Sequence, residues 1–150
     1  MAHIQPSSII EASPSEVFQM HEEPLQLKGL LSGILEIEFA SKPKQKLYKG
    51  EILDLVVGRH GISRKCKLKV EDIVFDRKME LKQAQGLFKS YKHIVKFEEH
   101  GSGTLITDFV EYRLPLGILG HLLDDLFMHE DIRRGIERRY ENLKKKFVKI

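Results

Sequence analysis

YKHIVKFEEHGSGTLITDFVEYRL, residues 91–114, is the stretch from which the rest of the chain can be read. Successive side chains of a strand point to opposite faces. Tyr91, His93, Val95 and Phe97 therefore share one face, and Lys92, Ile94 and Lys96 share the other. Lysine ammonium groups want water, so the Tyr91/His93/Val95/Phe97 face is the inward one. Residues 104–114 alternate as well, with Ile106, Asp108, Val110 and Tyr112 opposite Leu105, Thr107, Phe109, Glu111 and Arg113. Neither of those faces is plainly the wet one, so the pattern alone leaves the inward face of this strand open. Between the two runs, His100-Gly101-Ser102-Gly103 has the glycine content of a hairpin joint, which makes the pair antiparallel.

Working upstream, the same period of two recurs. Residues 34–40 alternate through Leu35, Glu36, Ile37, Glu38 and Phe39, and Ser41-Lys42-Pro43-Lys44 turns the chain. Residues 50–57 read as a strand closed by Gly58-Arg59-His60-Gly61. Residues 64–75 place Cys66, Leu68 and Val70 against Lys67, Lys69 and Glu71, and residues 77–85 make a further strand. No helical period separates these runs, so the expectation is an antiparallel meander rather than a parallel α/β sheet. Before it, residues 4–12 with Ile9 and Ile10 read as a short strand. Ser13-Pro14-Ser15-Glu16 then signals a helix start: Ser13 as cap, Pro14 first in the helix, Glu16 three after the cap. That helix carries Val17, Phe18 and Met20 and stops at Pro24; residues 25–31 form a second short helix ending near Ser32-Gly33. Downstream, residues 118–147 read as one long helix with Leu122, Leu126, Ile132, Ile136, Tyr140, Leu143 and Phe147 at helical spacing. A stripe that long needs a broad apolar surface, and the sheet is the only candidate.

Composition bounds the rest. The chain has 150 residues, 25 basic and 22 acidic, for a formal net charge of +3. That length fits one domain over residues 1–150, able to bury roughly 68–70% of its unfolded surface. One cysteine excludes an internal disulfide and any cysteine-cluster metal site. The small, mixed charge argues against nucleic acid as a partner. The first residues lack a signal-peptide pattern, and residues 114–128, the most apolar window, contain Pro115, His121, Asp124 and Asp125. The expectation is a cytoplasmic protein without integral membrane association.

Several chemistries fail on the residues. His121 and Asp125 lie one helical turn apart, near Asp124, His129, Glu130 and Asp131, but no metal-ligand spacing appears and these residues read as a solvated helix face. No metal and no cofactor are expected. Cys66 sits in a row with Leu68 and Val70 and reads as a small core residue, not a nucleophile. Gly101-Ser102-Gly103 lacks the strand-to-helix context of a phosphate cradle. The basic run Arg133-Arg134, Arg138-Arg139, Lys144-Lys145-Lys146 interleaves with Glu130, Asp131, Glu137 and Glu141, which favours pairing along an exposed face.

The element order matches a helix-grip architecture, and local residues sharpen it. Gly86-Leu87-Phe88, Tyr91-Lys92-His93 and Phe97, then Gly103-Thr104-Leu105, Asp108, Val110, Tyr112 and Leu114-Pro115-Leu116-Gly117-Ile118-Leu119-Gly120, with Arg139 and Leu143 near the end, carry the likeness. The chain resembles the polyketide cyclase/dehydrase-like ligand-binding branch of the START-like (SRPBCC) superfamily, with pollen-allergen-like proteins as more distant relatives. Tyr91 stands where that pattern has Trp. The resemblance implies an α+β fold: a curved antiparallel sheet wrapped around a long C-terminal helix, with a short helix pair after the first strand. It also selects the Asp108/Val110/Tyr112 face as inward.

The further implication is a cavity for a hydrophobic or amphipathic small molecule, lipid-like or polycyclic aromatic. Tyr91, His93, Asp108 and Tyr112 would supply polar recognition. Val95, Phe97, Val110, Leu122, Leu126, Ile136 and Tyr140 would supply apolar walls, and Pro115, Gly117 and Gly120 a gate loop. A few polar groups in an apolar concavity is the composition of a ligand site. The residues leave three alternatives open. His93 and Asp108 would form an acid–base pair in a cyclase or dehydratase, with Asp108 orienting the ring. The same pair would merely fix sheet against helix. Or the basic helix face or sheet edge would serve a protein partner without any ligand.

Overall fold

The computed structural model describes residues 2–23, 36–41, 46–59, 62–115 and 125–148. The chain opens with β1 (Ala2–Ile4) and β2 (Ser7–Ile10), two short strands where one was expected. Pro6 lies between them; it has no N–H to donate to a ladder, and pairing resumes beyond it. α1 (Pro14–Glu22) starts as read: Ser13 Oγ accepts from the Glu16 N–H at 3.2 Å, and Glu16 Oε1 reaches back to the Ser13 N–H at 3.4 Å. The expected second short helix lies outside the described residues.

β3 (Glu36–Phe39), β4 (Ile52–Arg59), β5 (Ile62–Val74), β6 (Lys78–Gln85), β7 (Ser90–His100) and β8 (Gly103–Arg113) follow as an antiparallel meander, and α2 (Asp125–Lys146) closes the chain. Sheet order is β1-β8-β7-β6-β5-β4-β3, with β2 also on β8. The β4 ladder runs on to Arg59↔Ile62, so Gly58 and Arg59 extend the strand instead of closing it. At the β7–β8 hairpin, His100 pairs with Gly103. Gly101 takes a φ of 60°, the left-handed region that the first central residue of a type II′ turn requires. Register shifts in the β5–β6 ladder at Lys67/Leu68 and Val70/Asp72 bend the sheet.

Ile106, Asp108, Val110 and Tyr112 are buried while their neighbours are only partly so, which settles the inward face of β8. The buried apolar residues form two clusters. One gathers β1, β2, α1, β7 and β8 under α2, through Phe18, Phe97, Val110, Met128, Tyr140 and Leu143. The other belongs to β4–β6, through Leu53, Leu55, Leu68, Val70, Met79 and Leu81. α2 is seated on the first half of the sheet. The second half turns its apolar face toward the space beside the helix. Among the described residues no helix is long and apolar enough to cross a membrane.

Candidate ligand-binding cavity

That space is a cavity of about 110 Å³ between sheet and helix. A single water needs roughly 10–15 Å³ by the same measure, so the cavity is several waters large. Ile37, Leu55, Val57 and Leu68 form the sheet wall, and Ile132, Gly135 and Ile136 the helix wall. One stretch of chain, the β6–β7 connection, adds Phe88. Its position is fixed by Gln83, whose amide Nε2 donates to the Phe88 carbonyl at 2.8 Å and whose Oε1 accepts the Phe88 N–H at 3.2 Å. Phe88 then packs on Tyr91, ring centres 5.0 Å apart, and edge-on to Tyr112 at 5.5 Å.

Polar groups enter the cavity wall at Gln83, Tyr91, His93 and Asp131. Behind Tyr91 and His93 runs a buried chain of hydrogen bonds. Tyr91 Oη lies 3.3 Å from His93 Nδ1, and His93 Nε2 lies 2.5 Å from Asp108 Oδ2. Asp108 Oδ1 accepts from the Arg139 guanidinium and, at 2.6 Å, from the Tyr140 hydroxyl. Tyr140 Oη also lies 3.0 Å from the Pro6 carbonyl. The network thus ties β7, β8, α2 and the β1–β2 connection together.

Electrostatics follow from this packing. Burial alone would raise the Asp108 carboxyl, but the Arg139 charge, the His93 hydrogen bond and the Tyr140 hydroxyl hold it well below the usual carboxylate range. Burial, reinforced by the Asp108 charge, pushes both Tyr91 and Tyr140 well above the ordinary phenol value, so both keep their protons. Burial pushes the Cys66 thiol up to about 11. Among the described residues no group of three His, Cys, Asp or Glu side chains is placed to hold a metal ion.

Of the residues singled out in the sequence, Tyr91, His93 and Ile136 line the cavity. Val95, Phe97, Val110, Tyr112 and Tyr140 are in the packed cluster beside it, and Asp108 is buried behind His93. Pro115 is partly buried at the end of the described stretch after β8. Gly117, Gly120, Leu122 and the Leu126 side chain lie outside the described residues. Cys66 does turn inward with Leu68 and Val70, and it borders the cavity too. The β3–β5 wall and Phe88 were not among the expected lining.

Arg139 is a correction. The basic run reads as exposed, and Arg133 and Lys144 do pair with Glu137 and Glu141, at 3.2 and 3.4 Å. Arg139 is instead fully buried against Asp108. Its position three residues after Ile136 and four before Leu143 puts it on the apolar stripe, and that spacing was the available signal.

A family model described as polyketide cyclase / dehydrase and lipid transport matches residues 10–138. The chain belongs to this family. Its fold is shared with solved structures at low identity. TTHA0849 from Thermus thermophilus is 18% identical with a TM-score of 0.71, covering 98% of this chain and 100% of that one. CV1439 from Chromobacterium violaceum is 13% identical with a TM-score of 0.69, covering 95% and 94%. Ara h 8.0201 is 14% identical with a TM-score of 0.58, covering 93% and 98%. No curated protein matches the sequence. Membership in the family and the shared fold support a ligand-binding SRPBCC-type architecture and leave the ligand unnamed.

Proposed function

We propose that the chain binds one hydrophobic or amphipathic small molecule, lipid-like or aromatic, between the sheet and α2. The observation that carries this reading is the cavity, walled by Leu55, Leu68, Ile132 and Ile136 and supplied with a few polar groups. Tightly packed cores keep few voids larger than a water, so an apolar space of this size under a helix is a feature to be explained. The buried network supports it by holding Tyr91 and His93 in one orientation, as a recognition group requires.

The test is native mass spectrometry of the purified chain, followed by solvent extraction and reloading with the extracted compound. The expected result is one apolar molecule per chain, lost in Ile132→Trp, whose ring would fill the cavity. A folded wild-type chain that neither carries nor takes up any apolar compound would overturn the reading.

A further inference from the structure

The cavity's hydrogen bonds have a sense, and that sense restricts the ligand. Asp108 is an ionised carboxylate and accepts only, so the proton between it and His93 Nε2 belongs to the ring. Arg139 already matches the Asp108 charge, and with a neutral imidazole the hydrogen-bonded set of His93, Asp108, Arg139 and Tyr140 carries no net charge. In the neutral ring Nδ1 is then an acceptor, and Tyr91 donates its hydroxyl proton to it. A phenol has one proton to give. What Tyr91 turns toward the cavity is therefore oxygen lone pairs. Gln83 gives Oε1 and one of its two Nε2 protons to the Phe88 backbone, which leaves one neutral amide N–H. The remaining polar wall group is the carboxyl of Asp131, and no lysine or arginine lines the cavity among the described residues.

We propose that the ligand is a neutral compound with an apolar body and a hydroxyl donor, an alcohol or a phenol, whose O–H is accepted by Tyr91 Oη, and that carboxylates are refused. This rests on the ligand-binding reading above and narrows it. A carboxylate would bring a full charge into apolar space with no cation among the described residues to meet it and with the Tyr91 lone pairs facing it, and one neutral amide N–H does not offset that burial. A hydroxyl meets the acceptor left over when the Tyr91 proton is committed to His93. An ether of the same shape brings no donor and leaves that acceptor unpaired.

Three matched probes test this on the full chain at pH 7: 4-butylphenol, 4-butylanisole and 4-butylbenzoate. Affinity is read by ligand-observed NMR titration, and location by intermolecular NOEs to Phe88 and Ile132. The phenol is expected to bind about fivefold tighter than the anisole and at least about tenfold tighter than the benzoate. The anisole arm separates a need for a donor from a mere preference for neutral compounds. An anisole that matches the phenol, or a benzoate that equals or exceeds it, overturns the proposal and leaves ligand binding standing. No NOE from any probe to Phe88 or Ile132 overturns the proposal together with the ligand-binding reading.

Discussion

Asp108 keeps its charge out of water because three donors from two elements converge on it: His93 from β7, Arg139 and Tyr140 from α2. The arrangement is asymmetric in what it costs to break. Nε and Nη1 of Arg139 have no hydrogen-bond partner among the described residues, so the guanidinium depends on Asp108. Removing one member leaves a buried charge unpaired, at a cost on the order of 3–5 kcal/mol. Asp108→Asn and Arg139→Met are each expected to lower urea stability by about that amount, and the double variant by clearly less than the sum. Additive losses would show that the two do not depend on each other.

His21 gives the chain a pH dependence. It is fully buried on α1, its Nδ1–H donates to the Val17 carbonyl at 2.8 Å, and its ring packs edge-on to Phe97. Burial first, then the nearby Arg139 charge, lowers its pKa from 6.5 to about 3. The sign follows from proton binding: between those values the unfolded chain takes up a proton that the folded chain refuses. The stabilisation is therefore complete above about pH 6.5 and is lost as pH falls toward 3, at up to about 1.4 kcal/mol per pH unit. Urea stability measured from pH 7 to 4 should fall more steeply for the wild type than for His21→Leu; parallel slopes would contradict the assignment. Neither His21 nor the burial of Arg139 stood out in the sequence. Each is a polar residue on an apolar helical stripe, and residue type outweighed position in the reading. For the His93–Asp108 pairing, strand alternation placed His93 inward, and the family resemblance, not the alternation, chose the Asp108 face of the next strand.

At the scale of elements, the sequence was most informative where local chemistry decides the backbone. The Ser13 capping box, the period-two runs and the glycine turn after His100 are satisfied within a few residues, and each appears where it was read. The β6–β7 connection is different, because its role depends on what it meets. Gly86 fits there since a Cβ would stand 2.5 Å from Gln83 Oε1 and 2.8 Å from Cys66 Sγ. Gln83 is the clamp that holds Phe88 at the cavity wall, so it cannot swing aside without releasing that ring. Gly86→Ala should therefore cost about 1–3 kcal/mol by overpacking and weaken probe binding several-fold. Full probe affinity in a destabilised Gly86→Ala protein would separate the clamp from the site.

For the whole molecule, alternation sorts the side chains of each strand into two faces but does not tell which part of the inward face a helix covers. Residues 34–85 read as an ordinary meander, and Cys66, Leu68 and their neighbours read as core. The structure splits the interior in two: α1 and α2 pack on the β1, β2, β7, β8 half, and the β3–β5 face is left to border a cavity. That division depends on where α2 crosses the sheet, and the crossing is set by the Arg139–Asp108 and Tyr140–Asp108 contacts between residues 31 and 32 positions apart. No local pattern encodes such a contact. The fold was legible because it needs only faces and order; half of the cavity wall was not, because it is defined by what the helix leaves uncovered.

Xenon reports on this apolar space without needing the ligand, since dry apolar cavities take up xenon. A crystal of the chain pressurised with xenon should show an ordered atom bounded by Leu55, Leu68, Ile132 and Ile136. A crystal at the same pressure with no xenon there, and with α2 packed directly onto β4 and β5, would rule out an apolar cavity between sheet and helix.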